Sequence, residues 1–407
     1  MENALGQFPP TAAAARARLA DFAPKAGESY ARNRNFDFGP VRHTRVSTLS
    51  PYLRLKVLDE ADVSRAVLEH MDGDTAEKFL TEVWWRTYWK GWLEQRPTVW
   101  AHYRTDLTQL HNDVQTQSGL RNRWETACLG KTGIAPFDAW AHELVRTGYL
   151  HNHARMWFAS IWIFTLELPW QLGANFFLRH LLDGDAAVNT LSWRWVAGIQ
   201  TRGKTYLADP DNIAEYSDGR FADVHGLSPT AVPVAAPDAP DRQPIMALAR
   251  YRPTPGARMG LLLHSDDISA GRLLAHLDLT PVTSAYLDTA ARQSPWCIAP
   301  HIADFRDAMA QDVNPGTDIL RDIQALVHWV RENRLDHIVA PHAPVGATRD
   351  VIARYRQRDG AVPVHEIRRD IDSAAWPLAT AGFFRFRKHI PELLDRFMRG
   401  TAAPDPS

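Results

Sequence analysis

The chain has 407 residues, enough for two domains with their own cores, and a formal net charge of −1, so any contact with nucleic acid must rest on a local basic face. Its two cysteines, Cys128 and Cys297, are too few for a disulfide framework or a four-cysteine iron–sulfur site, and fit a reducing cytoplasm. No apolar run reaches membrane-spanning length and no signal-peptide core opens the chain, so no membrane partner is expected, while 15 tryptophans leave room for a functional aromatic series beyond the core.

Residues Thr11 to Phe22 predict an Ala- and Arg-rich helix, and Gly27, Asn33, Asn35 and Gly39 predict an irregular segment after it. In VSTLSPYL, Ser47, Thr48 and Ser50 offer hydroxyls and Pro51 favours a helix start; the pattern serves an ordinary N-cap or a phosphate site equally well. Ala76 to Trp92 predicts one helix with aromatics all round, in which Glu82 and Trp85 share a face. Tyr103 to Gly130 is polar and gives little.

The stretch from Gly148 to Trp195 is the most informative. Met156, Phe158, Ile161, Trp162 and Thr165 recur at helical spacing, which predicts buried helices. Among them stand Asn152, Arg155, Asp183, Asp185 and Asn189, too many polar groups to be left unpaired in a core. A buried Arg155 needs a carboxylate, and Asp183 or Asp185 can supply it. The set makes either an interhelical ion pair or a polar pocket, walled by aromatics, for a large cofactor. His151, Asn152 and His153 lack the partner spacing of a metal site, so no metal is assigned. Around Trp195, Arg194, Arg202 and Lys204 form a small basic patch, either a phosphate contact or a solvated rim.

Ala222 to Gly256 is rich in Pro and Ala and predicts an extended linker. Strands and helices then alternate: MGLLLH, a helix around Leu273, VTSAYL, a helix over Ile319 to Val330, DHIVAPH, a helix over Thr348 to Tyr355, and VPVHEI. Ala374 to Phe397 predicts a helix interrupted at Pro377 and Pro391. No Gly-x-Gly-x-x-Gly follows a strand, which argues against a nicotinamide site.

Several of these stretches, in this order, resemble the flavin-binding core of photolyases and cryptochromes: Tyr30-x-x-x-Arg34, VSTLSPYL, Glu82-x-x-Trp85-Arg86, GKTGIAP, HNHARM, the Trp170 segment and DGDAAVNTLSWRW. The resemblance implies non-covalent FAD, bound by Tyr30, Arg34, Ser47, Thr48, Leu49, Ser50, Arg86, Asn152, Arg155, Asp183, Asp185 and Asn189. It places Glu82, Trp85, Met156 and Trp195 against damaged bases, and Trp193 and Trp170 as inner and middle members of an electron-transfer chain. The outer member is left between Trp100 and Tyr103. Asn189 falls opposite the flavin N5, where plant-type cryptochromes carry Asp, and so leans toward photolyase. Four departures stand out: Val46 for a Thr, Thr87 for a Glu, His153 for an Arg, and a missing Pro-Tyr-Phe-Arg run after Trp195.

The α/β part more loosely resembles the photolyase antenna domain, which in that family comes first; here the order is reversed, as in a circular permutation. The expected fold is α + α/β: an all-helical FAD-binding domain at 1–225, a linker at 226–256, and a Rossmann-like parallel α/β domain at 257–407. The expected activity is blue-light-driven splitting of pyrimidine dimers in DNA by an electron from reduced FAD. The alternative is a cryptochrome-like sensor that photoreduces FAD, repairs nothing and signals to a protein partner. No antenna pigment is assigned.

Overall fold

The computed structural model describes residues 4–40, 42–236, 240–275 and 280–398, and in it every regular element up to Tyr216 is helical. Helices α1 (Ala4–Gln7), α2 (Ala12–Phe22), α3 (Glu28–Asn33), α4 (Ser50–Arg54) and α5 (Glu60–Leu68) lead into α6 (Gly73–Val83) and α7 (Trp85–Glu94). Then come α8 (Thr98–Thr116), α9 (Ser118–Cys128) and α10 (Ala135–Thr147). The central stretch supplies α11 (Asn152–Ser160), α12 (Trp170–His180) and α13 (Ala186–Val196), and α14 (Pro210–Tyr216) closes the layer.

Short polar side chains set many of the starts. The Thr11 side chain accepts the Ala14 N–H at α2, Asp59 and Asp62 form a reciprocal capping box at α5, and Asp185 accepts the Val188 N–H at α13. Gly148 ends α10 at φ +69°, a left-handed conformation that favours glycine. Three expectations need correction. The single helix over 76–92 is two, divided at Trp84, which keeps right-handed dihedrals (φ −78°, ψ −6°). Part of the segment expected to be irregular forms α3, and the uninformative stretch from Tyr103 forms most of α8 and α9. After Ser160 the backbone widens into a π-helical turn over Ile161–Thr165.

From Met259 the pattern changes to β1 (Met259–His264), α15 (Ala270–Ala275), β2 (Thr283–Leu287), α16 (Pro300–Val313) and β3 (Asp318–Leu320). It continues with α17 (Ile323–Glu332), β4 (His337–Pro341), α18 (Ala347–Arg356) and β5 (Val364–Ile367). All pairings are parallel, in the order β3-β2-β1-β4-β5, with Gly260 of β1 opposite Thr283 on one side and Ile338 on the other. Every residue of β1 is buried, as in a parallel sheet covered on both faces. Leu261 and Leu263 join the core shared with the helical layer, while Leu262 joins a second core with Leu326, Trp329 and Ile352. The architecture is therefore α + α/β, helices first. Ile319 belongs to the short edge strand β3 and not to the helix after it, and α16 was not anticipated.

The described residues between Gly226 and Ala257 form no helix or strand, but they are pinned: Val234 N–H donates to the Ala197 carbonyl and Gln243 N–H to that of Gln95. Residues 237–239 of the expected linker, 276–279 at the end of the helix around Leu273, and 1–3 and 399–407 at the expected outer boundaries lie outside the described residues. No helix among the described residues is long and apolar enough to cross a membrane.

The last segment returns to the helical layer as α19 (Asp370–Ala375), a 3₁₀ turn over Trp376–Leu378, α20 (Phe383–Arg387) and α21 (Ile390–Met398). Pro377 lies in the turn, but Pro391 sits in the first turn of α21, where its missing N–H costs nothing, so it interrupts no helix. This segment packs along α7. A Cβ on Gly91 would lie 2.7 Å from Trp376 Cα, Gln95 Nε2 donates to the Trp376 carbonyl (2.9 Å), and Tyr88 Oη donates to that of Ala381 (2.8 Å). At the far end of α7, Glu94 accepts from Arg349 (2.7 Å) and from the Val345 N–H (2.6 Å), joining the helical layer to the sheet.

Candidate functional site

The turn Asp183–Gly184–Asp185, between α12 and α13, is gripped by arginines from four elements. Arg155 of α11 makes a bidentate pair with Asp183, Nη1 at 3.0 Å and Nη2 at 2.9 Å. Arg86 of α7 pairs with Asp185. Arg54 Nε of α4 donates to the Gly184 carbonyl (2.9 Å), and Arg306 of α16 approaches the same oxygen (3.4 Å). Burial alone would raise the Asp183 pKa, but the Arg155 charge and hydrogen bonds, with help from Arg86 and a hydrogen bond from Ser50, hold it below the usual range. Asp183 therefore stays ionised. The two carboxylates left open by the sequence are thus divided: Asp183 serves Arg155 and Asp185 serves Arg86.

Ser50 ties this turn to the VSTLSPYL loop. There Thr48 sits at φ +49°, a left-handed conformation unusual for a β-branched residue. Its hydroxyl accepts from Arg18 of α2, whose Nη2 also donates to the Gln7 carbonyl (2.8 Å). Arg18 was not singled out from the sequence, since nothing in an Ala/Arg helix marks one arginine over another. Leu49 is fully buried behind the loop and Ser47 is half-buried. Tyr30 and Arg34 form a second group with Glu82: Arg34 Nη1 lies 2.8 Å from Glu82 Oε1. Burial raises the Glu82 pKa, opposed by Arg34 and Lys78.

Asn189 is buried and donates through Nδ2 to the Ala174 carbonyl (2.8 Å), while Asn152 is exposed at the start of α11. Trp85 is half-buried, and one ring face is already taken: Phe383 of α20 lies flat on it, centroids 3.6 Å apart and planes at 11°. Met156 and Trp195 are also half-buried; Trp195 stacks on Tyr206 (5.9 Å), whose hydroxyl meets His153 Nε2 (3.2 Å). Trp193 is buried over Gly173, where a Cβ would come within 2.3 Å of its ring. Trp170, three residues before Gly173 on α12, lies 5.7 Å from Tyr103, which stacks on Trp100 at 5.4 Å. Both residues left open for the outer position thus stand in series, and Trp100 Nε1 donates to Asp350 of α18 (3.2 Å).

Residues 79–222 match the family described as the FAD binding domain of DNA photolyase. Over this segment the chain is similar to the FAD-binding domain of photolyases and cryptochromes. It is 31% identical to the deoxyribodipyrimidine photo-lyase of Vibrio cholerae over 201 residues, 47% of this chain and 40% of that one. It is 35% identical to that of Streptomyces griseus over 156 residues, 38% of this chain and 32% of the other. Among solved structures, a class III photolyase from Agrobacterium tumefaciens superimposes with a TM-score of 0.42 at 25% identity, covering 51% of this chain and 43% of that one. The chain spans less than half the length of the curated relatives it matches.

FAD is the cofactor of this photolyase domain, and the residues present suit it. Hydroxyls on a strained loop beside a guanidinium whose Nε is buried without a partner make a donor set for a diphosphate. Asn189 and the Arg155–Asp183 pair add fixed hydrogen-bonding groups. Two cavities lie elsewhere, against the sheet. One of about 10 Å³ is lined by Lys56, Lys90, Asp266 and Asp372; one of about 170 Å³ is lined by Arg104, Arg292, Asp350 and Arg354.

Proposed function

We propose that this chain is a light-driven flavoprotein that repairs pyrimidine dimers in DNA. The observation that carries the reading is the linkage of Ser50, Asp183, Arg155, Arg86 and Asp185. It fastens the hydroxyl-bearing loop to the two motifs HNHARM and DGDAAVN at one turn. In this reading Ser47, Thr48, Leu49, Ser50 and Arg18 hold the diphosphate, while Tyr30 and Arg34 shape its approach. Arg86, Asn152, Arg155, Asp183, Asp185 and Asn189 border the ring system. When bound and reduced, FAD would supply the excited-state electron that opens a cyclobutane ring.

The protein's part is to position and to exclude water. The Glu82 carboxyl can accept from a base edge or, when protonated, donate to one, and Trp85 would stack a base on the ring surface that Phe383 and Trp89 leave open. Met156 and Trp195 would close the pocket from α11 and α13. Trp193, Trp170, Tyr103 and Trp100 would return electrons to oxidised cofactor. The reversed order of helical layer and sheet is read as a circular permutation of the family's two domains, with 1–225, 226–256 and 257–407 as its parts.

The test is the visible spectrum of the purified protein, followed by illumination of the reduced protein with dimer-containing oligonucleotides. Flavin absorbance with restored pyrimidines supports the reading. Bound, photoactive flavin that splits no dimer replaces repair with light sensing; a protein that takes up no flavin ends both.

A further inference from the structure

One short turn near the C-terminal end points two ways. In α20, Phe383 and Phe386 are buried, Phe383 flat against Trp85. Phe384, between them in sequence, faces solvent and is 78% exposed, more than any other large apolar side chain among the described residues. A lone exposed apolar residue needs no explanation by itself. This one is set among cations. Arg385 and Lys388 are exposed beside it, and Lys388, four residues on, shares its helix face.

The position of the turn is fixed. Arg387 pairs with Glu77 of α6, which holds α20 against that helix. Lys78 follows on α6, its charge reaching Glu82. Phe384, next in sequence to the Phe383 that lies on Trp85, therefore stands at the rim of the Glu82–Trp85 face, with Arg385 and Lys388 beside it. The partner that matches exposed cations around a stackable ring is a polyanion with aromatic planes, which is DNA.

We propose that Phe384 is a wedge that enters the base stack of duplex DNA next to the nucleotide drawn toward Trp85, while Arg385 and Lys388 hold the flanking phosphates. The proposal rests on the reading of the Glu82–Trp85 face as base-binding. A base leaving a duplex opens a gap and breaks a stack, and a planar side chain inserted there fills the one and replaces the other. Single-stranded DNA presents no such gap, so the wedge serves duplex DNA above all. It also supplies an anchor that the short basic patch after Trp195 lacks.

The experiment compares flavin-loaded wild type, Phe384→Ala and Arg385→Gln/Lys388→Gln on one dimer-containing oligonucleotide, as duplex and as single strand, by fluorescence anisotropy across a salt series. Flavin absorbance confirms that each variant is folded. For Phe384→Ala, duplex affinity should fall about tenfold and single-strand affinity by less than about threefold, within the cost of one lost base–aromatic stack. For the double variant, the slope of log affinity against log salt should fall by about 1.8 on duplex DNA, two phosphate contacts' worth. Equal losses on both substrates, or none, with wild type still binding, overturn the wedge and leave the base-binding reading standing. Wild type that ignores dimer-containing DNA in both forms overturns that reading and the wedge with it.

Discussion

Removing the Asp183 carboxylate should separate the packing of this site from its binding of flavin. In Asp183→Ala, Arg155 loses both bidentate hydrogen bonds and Ser50 loses its acceptor. The Asp183 side chain is 3% exposed and that of Arg155 is 21%, so the charge left behind stays largely desolvated. Breaking such a pair costs about 3–5 kcal/mol, and the lower end applies here because Arg155 Nε keeps the Leu150 carbonyl at 3.0 Å. Asp183→Asn keeps the shape without the charge and should fall between. Arg155→Met/Asp183→Leu removes both charges and should recover most of the stability while still failing to take up FAD. Denaturant unfolding gives the energies, and the visible absorbance of bound flavin gives the occupancy. The pH dependence has a definite sign: the folded Asp183 pKa is depressed, so its contribution is complete above the unfolded carboxyl pKa and is lost as pH falls through the folded value. If Asp183→Ala unfolds within about 1 kcal/mol of wild type, the range of an exposed pair, the argument from desolvation is wrong.

Other outcomes follow from single contacts. Trp193→Phe keeps the ring over Gly173 but is harder to oxidise, so photoreduction should slow with FAD retained; an unchanged rate under steady blue light would mean a route that bypasses Trp193. Tyr103→Phe should slow it too if the series through Trp170 and Trp100 carries the electron, which transient absorption would report. Gly91→Ala pushes a methyl group to 2.7 Å from the Trp376 backbone and should cost about 1–3 kcal/mol, seen as earlier melting and faster proteolysis around residues 376–390; native-like resistance would contradict the close approach. Burial, reinforced by the charges of Arg179 and His301, holds His180 down to about 3. Its folded pKa lies below the unfolded value of roughly 6.5, so stability should fall as pH drops from there toward 3, by about 1.4 kcal/mol per pH unit, and His180→Gln should flatten that slope.

The polar series of the central stretch was legible because its chemistry forces its structure: charged groups that dense, among aromatics, must pair, and they do. Which aspartate took which arginine was not legible, since Asp183 and Asp185 are two residues apart and only the approach of α7 decides. The division at Trp84 left no sign because no Gly or Pro marks it and aromatic residues continue after it. Strand β3 escaped because three residues at a sheet edge give too few alternations to count. Contacts between distant segments were the hardest to foresee. Arg18 on Thr48 and Phe383 on Trp85 join residues whose local sequence carries no hint of the partner.

The return of the C-terminal segment to α7 also bears on how the protein is made. Gln95 meets the Trp376 carbonyl 281 residues later in the chain, and Tyr88 meets Ala381 at a separation of 293. During synthesis, the aromatic side of α7 leaves the ribosome long before anything exists to cover it. Contacts of such range slow folding, and a nascent chain that displays a stripe of Trp and Tyr meanwhile is open to wrong associations. A chain whose synthesis stops before residue 376 should therefore give far less folded protein than the full chain, and added chaperone should help it less, which soluble yield would report.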